Sequence, residues 1–379
     1  MILSSLRCLA IACSLWLAGC ASTPPAKLFF VGQDLEAVRG YRTARCCARP
    51  DGATAYATLY HLLDPSRKFG GLGVDANMKP LTVEADWGAG TSSAWRTATE
   101  GNVPRLAIGL SLTEEGASGG LKQIGEGRFD PEIRHLAGFI RKVREPVFLR
   151  VGYEFDGVWN PAYEDRAAYI AAWRRIVDLI RREGADNAVF VWQGSASPID
   201  DLIERRHEDP TDWYPGDRYV DWVALSWFLS PDERPVVPHA YPPPTARELA
   251  DEIVEFGRAH GKPVMIAELA PQGFDLTRLT KSNISPIWEG PAGGGVEQLR
   301  AVDIWNRWYS PMFAFLDEHR DVVDAIAYID ADWDRQPMWG TPYSNGYWGD
   351  TRIQANAEIV RRWNKAITRW RGHARPSGD

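Results

Sequence analysis

The sequence predicts an α/β fold of the (β/α)8 TIM-barrel type, built as a single domain. Two observations support this prediction. Short apolar runs alternate with amphipathic segments, and the long connections follow the runs rather than precede them. The apolar runs number eight, as the barrel requires, and they cover residues 28–32, 54–60, 105–110, 146–151, 187–192, 222–227, 263–268 and 325–330.

Two helices between these runs are marked by their periodicity. In residues 165–182 the apolar side chains recur at helical spacing on one face, with Asp165 at the N-terminal end and Gly184 after the C-terminal end. Residues 245–260 repeat the arrangement, and Gly261 follows them. We expect both segments to pack an apolar face against the barrel.

Three strand-to-helix connections are long and rich in Pro, Gly and aromatic residues: 228–244, 270–298 and 332–351. The helix-to-strand turns at 184–186 and 261–262 are short. In a barrel all loops that follow strands lie at one end, the end that carries the active site. An open two-layer sheet also alternates strands and helices, but it would not collect the long loops at one end.

Composition limits the class of partner. The 379 residues suffice for one large barrel and carry a net charge of −7, without a basic stripe. This balance argues against a nucleic-acid partner. The 17 tryptophans suit a surface that grips a flat, amphipathic ligand, so we expect an uncharged partner, bound by a monomer.

The N-terminus predicts a targeting segment. Arg7 and the apolar residues 9–17 precede Leu17-Ala18-Gly19-Cys20, which resembles a bacterial lipobox. We expect a signal peptide at 1–19, a lipid-anchored tether at 20–27 that begins at lipidated Cys20, a barrel domain at 28–370 and a flexible tail at 371–379. The protein would then lie in the cell envelope, on the periplasmic or outer-membrane face. A plain secretory signal or a short membrane helix is the alternative.

Two glutamates stand at the tips of predicted strands. Glu154 follows the fourth run and Glu268 ends the seventh. A carboxylate at the end of an apolar strand is costly without a partner, so each is either in an ion pair, such as Glu154 with Arg150, or functional. Paired carboxylates facing each other across a barrel mouth are what cleavage of a glycosidic bond needs.

The residues around these glutamates resemble a known family. Arg150-Val-Gly-Tyr-Glu154-Phe-Asp-Gly-Val-Trp159-Asn160 is similar to the acid/base strand of glycoside hydrolase family 26, in its β-1,3-xylanase-like branch. Residues 264–272 resemble the nucleophile strand of that family, and 213–222, 30–34 and 348–350 resemble further stretches of it. The similarity covers about residues 28–365.

The resemblance implies a clan A barrel and a retaining endo-β-glycanase, with Glu154 as general acid/base and Glu268 as nucleophile, their carboxyl groups about 5–5.5 Å apart. The substrate class it implies is a β-linked polysaccharide of the β-1,3-xylan or β-mannan type. Tyr153 stands where the mannanases carry His, which argues against mannan as the substrate. Trp227 stands where many relatives carry a Tyr near the nucleophile, so the hydrogen bond to the nucleophile would come from elsewhere.

Several residues are candidates to hold the substrate or the glutamates. Arg150 could fix either glutamate, aromatic rings at strand ends and in the long loops suit sugar subsites, and amide or carboxylate side chains suit hydroxyl groups. The substrate-binding candidates are Arg150, Tyr153, Trp159, Asn160, Trp192, Trp227, Asp86, Gln33 and Trp333, and Gln193 could also hydrogen-bond a hydroxyl group. Ordinary packing or capping is the alternative for each.

We expect neither a cofactor nor a metal. The sequence has no HExxH motif, and the calcium-loop-like start at Asp330 has Arg335 where such a loop needs Gly and Thr341 where it needs Glu. Two other functions remain open on the same scaffold. One is a non-catalytic carbohydrate-binding surface lipoprotein, and the other is a transglycosylase.

Overall fold

The computed structural model describes residues 27–63, 71–81, 85–86, 88–100, 103–113, 120–232, 242–282 and 295–372. The predicted signal peptide, Cys20, the tether except Lys27, and residues 373–379 of the predicted tail lie outside the described residues. Within the described part, no helix is long and apolar enough to cross a membrane.

Eight parallel strands form a closed barrel, which confirms the predicted (β/α)8 fold. Each strand pairs with its neighbours in sequence, and β1 closes the barrel on β8 with Leu28 opposite Ala325. The strands are β1 Leu28–Val31, β2 Gly52–Thr58, β3 Leu106–Ser111, β4 Val147–Val151, β5 Ala188–Gly194, β6 Trp222–Trp227, β7 Val264–Leu269 and β8 Val323–Tyr328.

All eight predicted strands exist, and the differences lie at their ends. The second strand ends at Thr58 because the chain turns into a 3-10 helix at Leu59–His61, so the predicted extension to residue 60 is wrong. The eighth strand runs two residues earlier than predicted at both ends. These shifts do not change which residues reach the barrel mouth.

Helices surround the barrel and alternate with its strands. The two predicted helices are confirmed, as α5 and α7. The described helices are α1 Leu35–Ala44, α2 Ala94–Glu100, α3 Gly120–Gly125, α4 Asp130–Val143, α5 Arg166–Arg182, α6 Pro198–Glu204, α7 Ala246–Ala259, α8 Ala301–Ile304, α9 Ser310–Glu318 and α10 Ala357–Gly372. A π-helix, Trp305–Tyr309, joins α8 to α9.

Caps define where α5 and α7 begin. The Asp165 carboxylate accepts a hydrogen bond from the Ala168 amide at 3.1 Å. At α7, Thr245 and Glu248 form a reciprocal capping box. Each cap satisfies backbone N–H groups that the first helical turn leaves without partners.

The long connections lie at the C-terminal end of the barrel, as predicted, because they follow β6, β7 and β8. In the connection after β7 the described residues form a three-stranded sheet, with strands Phe274–Asp275, Thr280–Ser282 and Val296–Gln298. Residues 233–241 and 283–294 of the predicted loops lie outside the described part.

Side chains alternate between the barrel interior and the layer under the helices. Phe148, Val191 and Ala224 fill the interior from β4, β5 and β6. Because every second residue of a strand faces the same way, the positions two residues further on also face inward, at the C-terminal mouth. Those positions carry the polar residues Arg150, Gln193 and Ser226.

Candidate active site

Glu268 reaches the barrel mouth through a bulge in β7. Met265 and Ala267 face the interior, so strict alternation would turn Glu268 outward. The pairing with β6 shifts at this point, from Leu225 opposite Ile266 to Ser226 opposite Glu268. The extra residue rotates the strand, and the Glu268 carboxylate therefore joins the inward-facing polar groups.

Arg150 holds the Glu268 carboxylate. Its Nη1 donates to Glu268 Oε1 at 2.5 Å and to Gln193 Oε1 at 2.9 Å. The guanidinium is fully buried, and it lies 4.9 Å from the ring centre of Tyr56 and 5.3 Å from that of Tyr153. A buried, charge-assisted hydrogen bond of this kind fixes the geometry of the carboxylate.

Glu154 enters the site from the loop that follows β4. Its backbone has a φ of 52°, in the left-handed region that non-glycine residues adopt at a cost of order 1–3 kcal/mol. The Glu154 amide donates to Gln193 O at 2.9 Å, which holds this conformation. The carboxyl group then accepts hydrogen bonds from Ser226 Oγ and Trp159 Nε1, both at 2.7 Å.

Glu154 and Glu268 share one hydrogen-bond network, although they come from opposite sides of the barrel. Gln193 Nε2 donates to Ser226 Oγ at 3.0 Å and lies 3.5 Å from Glu268 Oε1. Ser226 in turn donates to Glu154. Two side chains from β5 and β6 therefore connect the two carboxyl groups at the barrel mouth.

The environments of the two carboxyl groups differ. Burial, and next the negative charge of Glu268, raise the pKa of Glu154 to about 8, against the opposing hydrogen bonds from Ser226 and Trp159. Glu154 therefore carries a proton at neutral pH. Glu268 instead faces the Arg150 guanidinium, which stabilises its negative charge. One proton donor and one carboxylate thus share a single mouth.

Two residues of this network, Tyr56 and Ser226, were not among the sequence-based candidates. Tyr56 lies on β2, packs edge-on against Tyr153 with ring centres 5.5 Å apart, and has its ring centre 4.9 Å from the Arg150 guanidinium. It supplies a phenol whose electrostatic neighbours are Arg150 and Glu268. The signal that could have found both is the inward parity of their positions on β2 and β6.

Trp159, Asn160 and Tyr153 lie around Glu154, as their positions in the motif suggested. The Trp159 ring is 46% exposed, so one side of it is open to a ligand. Asn160 Nδ2 donates to the backbone oxygen of Glu154 at 2.9 Å and approaches that of Tyr153 at 3.4 Å. Asn160 therefore holds the loop, and Tyr153 packs beside Arg150.

The structure contradicts the expectation that Trp192, Trp227 and Trp333 contact substrate. Each is at most 2% exposed. Trp192 and Trp227 have outward parity on their strands and pack under the helices, where Trp192 stacks on Phe155 at 4.4 Å. Trp227 Nε1 donates to Leu229 O, and Trp333 donates to Thr351 Oγ1, both at 2.9 Å.

Gln33 and Asp86 stand apart from the carboxyl network. Gln33 is buried after β1, where its Nε2 approaches Ala89 O and Gln336 Oε1, each at 3.4 Å. Asp86 is exposed and accepts a hydrogen bond from the Gly88 amide at 2.9 Å, which makes it a turn residue. The structure gives neither side chain a contact with Glu154 or Glu268.

The carboxylates of the calcium-like segment are held by protein groups. Asp330 accepts from the Ile353 amide at 2.7 Å, and Asp332 pairs with Arg335 at 3.0 Å. Asp334 pairs with Arg278 at 2.9 Å. In the described part of the chain, no group of three or more His, Cys, Asp or Glu side chains is arranged to hold a metal ion.

Comparison with known proteins gives relatives over most of the chain, although no family model matches. A β-1,3-xylanase of a Vibrio species is 30% identical over 343 residues, which are 90% of this chain and 64% of that enzyme. A β-1,3-xylanase of an Alcaligenes species is 29% identical over 342 residues, covering 90% of this chain and 63% of that enzyme. The chain thus spans just under two thirds of the length of these relatives.

Solved structures share the fold. A modular endo-β-1,4-mannanase from Cellulomonas fimi, a family 26 glycoside hydrolase, superposes with a TM-score of 0.53 at 14% identity, over 92% of this chain and 71% of that one. The sequence relatives agree with the β-1,3-xylanase-like resemblance that the strand motifs indicated, and the solved structure shares the barrel fold.

Proposed function

From this relationship to the β-1,3-xylanases and the family 26 fold, we propose that the protein is a retaining glycoside hydrolase that cleaves a β-linked polysaccharide. One observation carries the proposal: a buried Glu154, whose pKa burial and the charge of Glu268 raise, and an arginine-held Glu268 face one barrel mouth in a shared hydrogen-bond network. This combination supplies the proton donor and the carboxylate that double displacement requires.

In the first step, Glu268 attacks the anomeric carbon while Glu154 gives its proton to the leaving glycosidic oxygen. The bond between sugar and leaving group breaks, and a covalent glycosyl ester forms on Glu268. The bond from Arg150 aims the attacking oxygen. The network through Ser226 and Gln193 keeps the donor and the nucleophile in register.

In the second step, Glu154 acts as a base. Once Glu268 is esterified, its negative charge is gone, and with it one of the two main causes that raise the pKa of Glu154. The pKa of Glu154 then falls, so the carboxylate left by the first step can accept a proton from water. That water attacks the anomeric carbon from the face that the leaving group vacated, and the sugar is released with its configuration retained.

For the substrate we propose β-1,3-xylan first and β-mannan second. The two sequence relatives are β-1,3-xylanases, whereas the mannanases share the fold at low identity. Tyr153, in place of the histidine of the mannanases, agrees with this order. The exposed face of Trp159 beside Glu154 suits stacking of an uncharged sugar ring next to the bond that breaks.

A panel of purified polysaccharides tests the proposal. We expect shorter oligosaccharides from β-1,3-xylan, detected by mass spectrometry, and no products from Glu268→Ala protein with an unchanged circular dichroism spectrum. Binding of β-1,3-xylan, β-mannan or β-glucan while all three stay intact would favour a non-catalytic binding protein. Longer products at high substrate would indicate transglycosylation.

We also propose that Cys20 anchors the mature protein in the cell envelope, with 1–19 removed and the barrel held by the short tether. The lipobox-like residues 17–20 support this proposal. Fractionation tests it: the chain should partition with membranes, and Cys20→Ala should stay unprocessed or lose the lipid-modified N-terminal peptide. A soluble protein cleaved at another position would refute the anchor.

A further inference from the structure

The loop that carries Glu154 is docked on the segment that follows β5. We define the acid/base loop as residues 154–160. Besides the bond from the Glu154 amide to Gln193 O, the Asp156 carboxylate accepts from the Ser195 amide at 2.6 Å. Further along, the Val158 amide donates to Asp200 Oδ1 at 2.5 Å. Hydrogen bonds thus hold the loop at every second residue, 154, 156 and 158.

The third of these hydrogen bonds lies directly before Trp159, whose ring nitrogen donates to the carboxyl group of Glu154. The ring lies across Gly157, since a Cβ on that residue would fall 2.5 Å from the indole. An exposed indole has few packing contacts to fix it. The backbone at 157–158 therefore decides where the ring sits and whether it reaches Glu154.

We propose that Asp200 is a positioning residue for the acid/base, acting through the Val158 amide and the Trp159 ring on Glu154. The inference rests on the proposed glycosidase function. Asp200 belongs to α6 and is only 4% exposed, so it is not itself available to substrate. Its effect must pass through the loop, and its loss should impair the acid/base more than the nucleophile.

The surroundings of Asp200 show in which form it acts. It shares a small pocket with Asp156, Asp201, His207, Glu208 and Glu252, and the charge of Glu204 on the same helix also acts on it. Burial, and next the charge of Asp156, raise the pKa of Asp200 to about 9. A carboxyl group that keeps its proton at neutral pH still accepts a hydrogen bond from Val158 through its carbonyl oxygen. Asparagine has the same shape and acceptor, so it should replace Asp200 with little loss.

Asp201 provides a matched control. It is the next residue of α6, is equally buried, and bonds to His207 Nδ1 at 2.9 Å rather than to the acid/base loop. His207 in turn contacts Glu252 at 2.9 Å. Removing the Asp201 carboxylate perturbs the same pocket and helix without releasing Val158.

The experiment compares kcat/KM for a polysaccharide with kcat/KM for a dinitrophenyl β-glycoside of the same sugar. The dinitrophenolate leaves without a proton, so only the polysaccharide reports the general acid. For Asp200→Ala we expect kcat/KM on the polysaccharide to fall about 10- to 100-fold and that on the aryl glycoside to fall less than about threefold. Asp200→Asn and Asp201→Asn should keep the wild-type ratio.

A double-mutant cycle tests the route through the ring. If Asp200 acts through Trp159, then Asp200→Ala should add little to the loss caused by Trp159→Phe. Equal losses on both substrates, or additive losses in the cycle, would overturn the proposal. A calcium-dependent rise in Tm that Asp200→Asn abolishes would also overturn it, because the pocket would then be a cation site.

Two further measurements keep the outcome decisive. If Asp200→Ala does not fold, hydrogen exchange of the Val158 amide in wild-type protein tests the hydrogen bond to Asp200. Slow exchange supports this bond, and fast exchange refutes it. Wild-type activity that Glu268→Ala abolishes establishes the proposed function independently. If Glu268→Ala abolishes activity but Asp200→Ala changes neither kcat/KM value, the positioning role is refuted and the proposed glycosidase function stands.

Discussion

The two glutamates of the candidate site are proposed to have different roles because their neighbours differ. Glu154 faces a hydroxyl, an indole and the negative charge of Glu268, whereas Glu268 faces a buried guanidinium. The first arrangement favours the neutral acid, and the second orients the Glu268 carboxylate through a charge-assisted hydrogen bond. Removing one side chain should therefore stop one chemical role and spare the other.

Azide rescue separates these roles. With a dinitrophenyl β-glycoside, Glu154→Ala protein should form the glycosyl-enzyme and wait for a base, and azide should restore kcat and give a β-glycosyl azide, because azide attacks without losing a proton. Glu268→Ala protein should instead give an α-glycosyl azide by direct displacement. Proton NMR reads both configurations, and the reverse pattern would exchange the assignments.

Tyr56 should matter through its hydroxyl group. Tyr56→Phe removes the buried hydroxyl beside Glu268 and Arg150 and keeps the ring, so we expect kcat/KM to fall about 10- to 100-fold, as for loss of a polar interaction with a charged group. Tyr41→Phe is the control, because its hydroxyl donates to Ala48 O away from the mouth. Equal activity of Tyr56→Phe and Tyr41→Phe would show that the Tyr56 hydroxyl has no role in the active site.

At the scale of elements, the bulge in β7 and the acid/base loop turn a packed barrel into a site. Neither could be predicted from the periodicity of apolar residues. A bulge adds one residue to a strand without changing its apolar composition, and a loop has no periodicity. The strands and the helices α5 and α7 could be predicted because packing in the core requires apolar residues on one face, and these recur in the sequence at strand or helix spacing. Closeness to a strand end alone predicts a place in the site for Trp192 and Trp227, and this is wrong because their parity on the strands turns both rings outward.

Helix α7 offers a test at this scale. Thr245→Ala removes the side chain that caps the Glu248 amide, and it should lower the free energy of unfolding by about 1 kcal/mol. Urea unfolding followed by circular dichroism measures the change. Thr43→Ala, near the C-terminal end of α1 and exposed, should change stability by less than half as much; equal losses would deny the cap a specific role.

At the scale of the whole molecule, buried acids at the barrel mouth link stability to pH. Burial raises the pKa of Asp330 from 3.8 to about 7, so the folded state holds a proton that the unfolded chain releases at lower pH. The stability from this group is complete below pH 3.8 and is lost as pH rises through about 7.

We therefore expect the Tm of the wild-type protein to fall between pH 5 and pH 8, and Asp330→Asn to reduce that fall, since asparagine has no proton to lose. Differential scanning calorimetry at several pH values measures both slopes. Asp317→Asn, on the exposed outer surface, should leave the slope unchanged. An Asp330→Asn slope as steep as that of the wild type would show that other groups control the pH dependence.

The fold, the two carboxylates, Arg150 and Trp159 could be predicted from the sequence because strand order alone brings strand ends together. The connections through Ser226, Gln193 and Tyr56 depend on register across three strand pairs, and Asp200 depends on how one loop docks on the next. These relations are set by tertiary packing, so no local pattern of residues reveals them.

The central claim is that Glu268 attacks the sugar while Glu154 supplies the proton. The most direct measurement is trapping with a 2-deoxy-2-fluoro β-glycoside that carries a dinitrophenyl leaving group, followed by peptide mass spectrometry. The fluorine slows the second step, so we expect one fluoroglycosyl group per chain, located on Glu268 and absent from Glu268→Ala protein. An enzyme that turns over polysaccharide yet carries the label on another residue would contradict the account.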